Sequence, residues 1–235
     1  MATASNSTSP TRVLAALDAA RAEIDVLEHP FYLRWRAGRL DAEELELYAR
    51  QYRHAVLALA EASARAAQEA PDDAAADLRA HAHEEARHVA LWDRFAAAAA
   101  DAGESRSSDS RDATPLPQTR ACAGAWTAAD SLLERLAVLY AIEASQPAIS
   151  ETKLEGLVQH YRYRPDAPAV EYFRVHALRD HEHARMSAAL IRRLVASDCD
   201  GLQAQRAVSR ARAALRGNWR LLDGVEAAAA PAARS

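Results

Sequence analysis

His176, Asp180 and His183 stand four and three residues apart in the segment EYFRVHALRDHEHARM. On an α-helix such positions share one face, about a turn apart, so two imidazoles and a carboxylate point the same way. That is half of a metal site. Candidates for the other half lie upstream. Glu85 and His88 stand three apart in HEEARHVALW, and Glu143 is alone in the apolar run LAVLYAIEA. Together these six residues offer nitrogen and oxygen donors that suit a pair of iron or manganese ions between helices. Two cations a few ångströms apart repel, so anionic oxygens must lie between or beside them. Neutral imidazoles fill the remaining positions without adding charge.

Glu143 discriminates between readings. Amid Leu136, Tyr140, Ile142 and Pro147 it is expected to be buried, and a buried carboxylate needs a partner. A cation is the simplest one. A metal-free binding protein would instead pair Glu143 with Lys153 or an arginine. The first half of the site leaves a choice, because His81, Glu84, Glu85 and His88 share a helix face. Glu84 or His81 could serve in place of Glu85. His83 and His181 point elsewhere by period, and His160 adjoins a loop.

The elements that must position these groups are helical. Residues 1–9 read as a disordered N-terminus, and residues 10–228 as one helical domain around the di-metal site. Ser9-Pro10 is an N-cap followed by proline at the first helical position, opening a helix to about Glu28. A short helix through Trp35 follows and stops at Gly38. Asp41 with Glu44 forms a capping pair for a helix over about 42–69. Pro71-Asp72 restarts a helix that carries Glu85 and His88 and ends near Gly103. The stretch 103–124, rich in Ser, Asp, Gly and Pro, reads as a mobile loop. A helix over about 128–145 carries Glu143, and Pro147 kinks or interrupts it. Further helices run to about Tyr161, through His176–His183, and over about 201–222. No strand pattern or internal repeat is evident.

Composition agrees with this. Half of the 235 residues are hydrophobic, and there are only 7 glycines and 9 prolines, a balance that favours an all-α fold. A formal charge of −4 without a basic tract argues against nucleic acid. Cys122 and Cys199 form no paired motif and read as reduced cysteines of a cytoplasmic protein. The N-terminus lacks the apolar stretch of a secretory signal, and no run is long enough to span a membrane.

The succession HPFYLRW, HVALWDRFA, Glu143 followed by SQPAISETKLEGL, YFRVHALRDHEH and NWRLLDGV resembles the heme-oxygenase-like di-iron oxidases over about residues 12–225. The resemblance implies a compact bundle of about seven helices, a homodimer, with two Fe(II) ions, or Mn, at its centre and O2 as co-substrate. It implies the ligands Glu85, His88, Glu143, His176, Asp180 and His183. In some relatives the first carboxylate lies seven residues before the histidine. Here that position is His81, so Glu84 or Glu85 must serve.

Relatives of this kind oxidise small carboxylate-bearing substrates of amino acid or fatty acid type. Such a carboxylate could bind a metal or pair with Lys153 or Arg179. One branch, similar to the chlamydial death-domain-associating protein, makes p-aminobenzoate from its own tyrosine and a lysine. Lys153 follows Glu143 by ten residues, as the nitrogen donor does in that branch. Tyr32 is a candidate for the consumed ring, and Tyr52 and Tyr140 could lie near the metals. The alternatives are a surface lysine within ETKxxGL, and tyrosines that pack the core. Metal-free enzymes share the fold as well, so fold alone does not decide the chemistry. The thiaminase type needs a cysteine in the pocket, and neither Cys122 nor Cys199 is well placed.

Overall fold

The computed structural model describes residues 9–103, 114–198 and 201–229. The expectations for residues 1–8, for 104–113 and for Cys199 lie outside the described residues. Nine α-helices are present among those described, against the seven or so expected, and no strand.

Helix α1 (Pro10–Glu23) starts where the sequence demands it. The Ser9 side chain accepts from Arg12 N, and Pro10 fills the position that needs no donor. It ends earlier than expected. Asp25 caps a separate 3-10 turn, Val26–Glu28, and His29 caps α2 (Pro30–Arg36) by accepting from Phe31 N. Gly38, at φ +64, turns the chain into α3 (Ala42–Gln68). The capping box forms: Asp41 Oδ1 accepts from Glu44 N at 2.8 Å, and Glu44 Oε2 from Asp41 N at 2.9 Å. Helix α4 (Ala75–Ala102) packs along α3.

The second half of the expected loop is helix. Helix α5 (Pro117–Thr127) buries Thr119, Cys122 and Trp126. Gln51 of α3 anchors its start, its Oε1 accepting from Leu116 N at 2.9 Å and from Thr119 Oγ1 at 2.7 Å. Polar composition hid this element, because Pro117 opens a helix as readily as it breaks one. Cys122 therefore sits in the core, not beside a loop.

Helix α6 (Leu132–Glu143) ends at its one buried apolar-run carboxylate. Pro147 kinks nothing. It stands in the first turn of a new helix, α7 (Gln146–His160). Arg21 of α1 fastens the joint, donating to Ala144 O at 2.5 Å and to Ser145 Oγ at 3.0 Å. Helix α8 (Glu171–Ala196) follows, then α9 (Leu202–Ala229), which runs beyond the expected end at 222. Trp35, Tyr48, Tyr52, Trp92, Phe95, Tyr172 and Phe173 meet mostly edge to face at the centre of the bundle. Among the described residues no helix is long and apolar enough to cross a membrane.

Candidate metal centre

Helices α4 and α8 carry the same device. His81, Glu85 and His88 on α4 repeat the spacing of His176, Asp180 and His183 on α8: histidine, acid four residues on, histidine three residues after that. Each triplet shares one helix face, and all six side chains are buried. Two groups of donor atoms come within 4.8 Å of one another: His81, Glu85 and His183, and Glu85, His88 and His176. Glu85 belongs to both.

The carboxylates thread between the rings. Glu85 Oε1 lies 3.0 Å from His88 Nδ1 and 3.9 Å from His183 Nδ1, while its Oε2 lies 4.0 Å from His176 Nε2. Asp180 Oδ1 is 3.5 Å from His183 Nδ1. Glu143, at the end of α6, is completely buried, with Oε1 2.8 Å from His81 Nε2. That approach is close but poorly aligned, and neither atom has a hydrogen-bond partner. No lysine or arginine pairs with Glu143 among the described residues, contrary to what a metal-free reading requires.

The orphaned atoms test whether the residues suit a metal. His81 Nε2, His176 Nε2, His183 Nδ1 and both oxygens of Glu143 and of Asp180 are buried without a partner. Buried donors and acceptors are almost always satisfied. Lone pairs that converge unpaired at these separations match metal–ligand bonds of about 2 Å each. His176 shows it best. Its Nδ1 lies 2.8 Å from Tyr172 O, and a carbonyl can only accept, so Nδ1 carries the proton. In the neutral ring, the form that binds a metal, that leaves the Nε2 lone pair facing Glu85. The set fits a cation pair.

Electrostatics agree. Burial pulls the His183 imidazole down, but Asp180, Glu143 and Glu85 outweigh it and raise the ring to about 9. Burial likewise opposes charge on His81 and His176, and nearby carboxylates raise both. Burial pushes Glu143 above the usual carboxylate range although His81 pulls the other way. Without metal the cluster thus holds protons where cations would sit.

Of the three candidates for the first position, Glu85 is central and His81 is buried beside it, while Glu84 lies at the rim. Glu84 Oε2 is 3.2 Å from His183 Nε2, on the far side of that ring from Asp180. His83, His160 and His181 are exposed. His81, which the sequence offers as an alternative to Glu85, completes on α4 the triplet spacing seen on α8.

One turn from the ligands lies a second cluster. Lys153 of α7 is completely buried, and burial alone lowers its amine to about 7. Its Nζ has no hydrogen-bond partner. It faces the rings of Tyr52 at 4.6 Å, Tyr32 at 5.3 Å, Tyr48 at 5.5 Å, Phe173 at 5.7 Å and Trp92 at 5.9 Å. The reading of Lys153 as a surface residue is therefore wrong: burial leaves it no solvent. Trp92 joins this cage to the candidate metal ligands, lying 4.8 Å from Tyr172, which stacks on His176 at 4.0 Å. The Tyr32 and Tyr48 hydroxyls bond each other at 3.0 Å, and burial raises the Tyr52 hydroxyl although Gln146 and Asn218 pull it the other way. Tyr140 is elsewhere, its hydroxyl donating to Asp18 at 2.7 Å near the surface. The sequence held an unused signal here. Of 29 lysines and arginines, Lys153 is the single lysine.

Known proteins bear on this arrangement. Residues 46–219 match the family described as iron-containing redox enzymes. The chain is 31% identical over 208 residues to a 4-aminobenzoate synthase of Chlamydia muridarum, covering 83% of this chain and 85% of that one. It is 29% identical over 218 residues to a 4-aminobenzoate synthase of Nitrosomonas europaea, covering 85% of each. Among solved structures, a TenA homologue from Pseudomonas syringae pv. tomato matches with a TM-score of 0.77 at 19% identity, over 92% of each chain. A domain of unknown function with a heme oxygenase-like fold from Shewanella denitrificans matches at 0.71 and 19% identity, over 96% of this chain and 95% of that one. These two speak for the fold alone, which is all-α and heme oxygenase-like. On the match across most of its length and on these relatives, the chain belongs to the family of iron-containing redox enzymes.

Proposed function

We propose that this chain is a 4-aminobenzoate synthase that builds its product from its own side chains, with Lys153 as nitrogen donor and Tyr32 as the ring. The observation that carries the reading is the single lysine, buried and unpaired against three tyrosine rings beside the metal-ligand cluster. The names of the curated relatives support it.

The chemistry follows from comparing the two molecules. Tyrosine carries an oxygen para to Cβ, and 4-aminobenzoate carries a nitrogen para to a carboxylate. The conversion replaces oxygen by nitrogen at Cζ, breaks Cα–Cβ and oxidises Cβ, so it requires a strong oxidant. His81, Glu85, His88, Glu143, His176, Asp180 and His183 would hold two iron ions, or manganese, whose contribution when bound is to activate O2 as that oxidant.

The remaining roles belong to the chain. Burial keeps a large share of Lys153 as free amine near neutral pH, so a nitrogen lone pair is present. The aromatic walls exclude water and hold Nζ over the rings. Trp35 Nε1 donates to Lys153 O at 3.1 Å and fixes the register of α7. The Tyr52 ring, 4.6 Å from Lys153 Nζ, walls the amine in, which makes Tyr52 a positioning residue in this reading.

The test is aerobic incubation of Fe(II)-loaded protein with no added organic substrate, followed by mass spectrometry of small molecules and of the chain. Release of at most one 4-aminobenzoate per chain is expected, with mass lost at Lys153 and Tyr32. Lys153→Arg and Tyr32→Phe should release none, and Tyr52→Phe a reduced amount. A second reading, oxidation of an external small carboxylate, draws on Arg179 in the cleft outside His81 and His183. Many turnovers on an added amino or fatty acid, with Lys153 intact, would establish that reading and overturn the first.

A further inference from the structure

A cleft of about 290 Å³ opens between α4 and α8, and two of its lining residues are His81 and His183. Glu84, Arg179, Glu182 and Asp77 also line it. Glu84 makes two contacts there. Its Oε2 lies 3.2 Å from His183 Nε2, and its Oε1 accepts from Arg179 Nη2 at 3.3 Å. Glu182 is 3.9 Å from Arg179 as well, through Nη1.

A carboxylate offers only lone pairs to an imidazole, so the contact to Glu84 places a proton on His183 Nε2. With the ring neutral, Nδ1 then bears the lone pair. Nδ1 is the atom that faces Asp180 and Glu85 and has no hydrogen-bond partner. On the deep side of the cluster His176 achieves the same result with a backbone carbonyl, which cannot move away. At His183 the equivalent acceptor is a side chain that is 23% exposed, held in turn by an arginine that is 53% exposed. The outer partner of His183 is thus movable, and it stands in a cleft open to solvent.

We infer that Glu84 is the positioning residue for His183 and that, with Arg179 as its latch, it gates entry of divalent cations to the centre. Glu84 is not a ligand of the resting site. It fixes which nitrogen of His183 binds, and its negative charge attracts the incoming cation at the mouth. Arg179 competes for that charge and holds the carboxylate back against the ring. This rests on the metal-centre reading above.

The experiment is anaerobic titration and stopped-flow mixing of the full-length apoprotein with Co(II), followed by the visible spectrum of the bound ion. Loss of an outer partner of a metal-bound histidine lowers affinity about 10–100-fold, and that loss is expected for Glu84→Ala. Glu84→Gln keeps an oxygen that can accept from Nε2–H. It should bind within a few-fold of wild type yet associate more slowly, with a weaker dependence on salt. Arg179→Gln should associate faster. Wild-type affinity and wild-type rates in both Glu84 variants would overturn the inference and make Glu84 a solvated surface acid. Failure of the wild type itself to take up cobalt, while folded, would instead remove the metal-centre reading and this inference with it.

Discussion

At the scale of single residues, Lys153 links chemistry to stability. Its ordinary pKa of 10.5 falls to about 7 on burial. Between those two values the unfolded chain holds a proton that the native chain lacks, so native stability rises with pH across that window. Below about 7 the ammonium must stay buried and the full penalty stands. Lys153→Met should therefore stabilise the metal-free protein by about 3–5 kcal/mol at pH 6. The gain should shrink steadily towards pH 10, as urea unfolding over a pH series would show. A lysine whose amine reached solvent in the native chain would give no such slope. The five candidate ligands picked out by spacing lie in one cluster with Glu143, because a helix fixes which residues share a face. Lys153 was ambiguous because burial depends on what the other helices bring to α7. Spacing within α7 carries no record of Tyr32 or Trp92.

At the scale of elements, α7 is set by one close approach. A Cβ at Gly156 would lie 2.5 Å from Trp35 Cδ1 and 2.6 Å from its Nε1. Gly156 thus lets α7 lie against the Trp35 ring, whose Nε1 also bonds Lys153 O. Gly156→Ala must push that ring or the helix aside, at about 1–3 kcal/mol. A lower melting temperature and faster amide exchange in α7 are the expected results. Helix starts were legible at Ser9 and Asp41, where a capping side chain announced them. Helix α5 was not. Its cap residue, Leu116, contributes no side-chain bond, and its anchor is Gln51, far away in sequence. The joint after Glu143, an interruption rather than a kink, was left open between the two for a related reason. Arg21, which secures it, lies 123 residues from its acceptor Ala144 O.

At the scale of the whole molecule, the fold holds a cluster of charged and unpaired groups at its centre. A metal-free chain must tolerate buried acids whose oxygens have no partners, which is costly. Metal binding to the native state alone relieves this and raises the melting temperature with metal concentration. Glu143→Leu should separate the two effects. It removes a completely buried carboxylate, so the metal-free protein should gain about 1–3 kcal/mol. The rise in melting temperature on adding Fe(II) should be largely lost. Calorimetry with and without metal measures both. The heme oxygenase-like architecture was readable because ordered motifs spread over most of the chain. The second histidine–acid–histidine triplet on α4 was only half read, because adjacent glutamates at 84 and 85 offered two registers. Packing against α8 puts Glu85 inside and Glu84 at the rim.

A chain with one lysine in 235 residues is also an isotopic reagent. Cells fed lysine bearing ¹⁵N only at the side-chain amine would place the heavy isotope at a single atom of this protein. Any amine-bearing compound that leaves the purified chain with that label has one possible origin. Its yield then counts, molecule by molecule, how many chains have been spent.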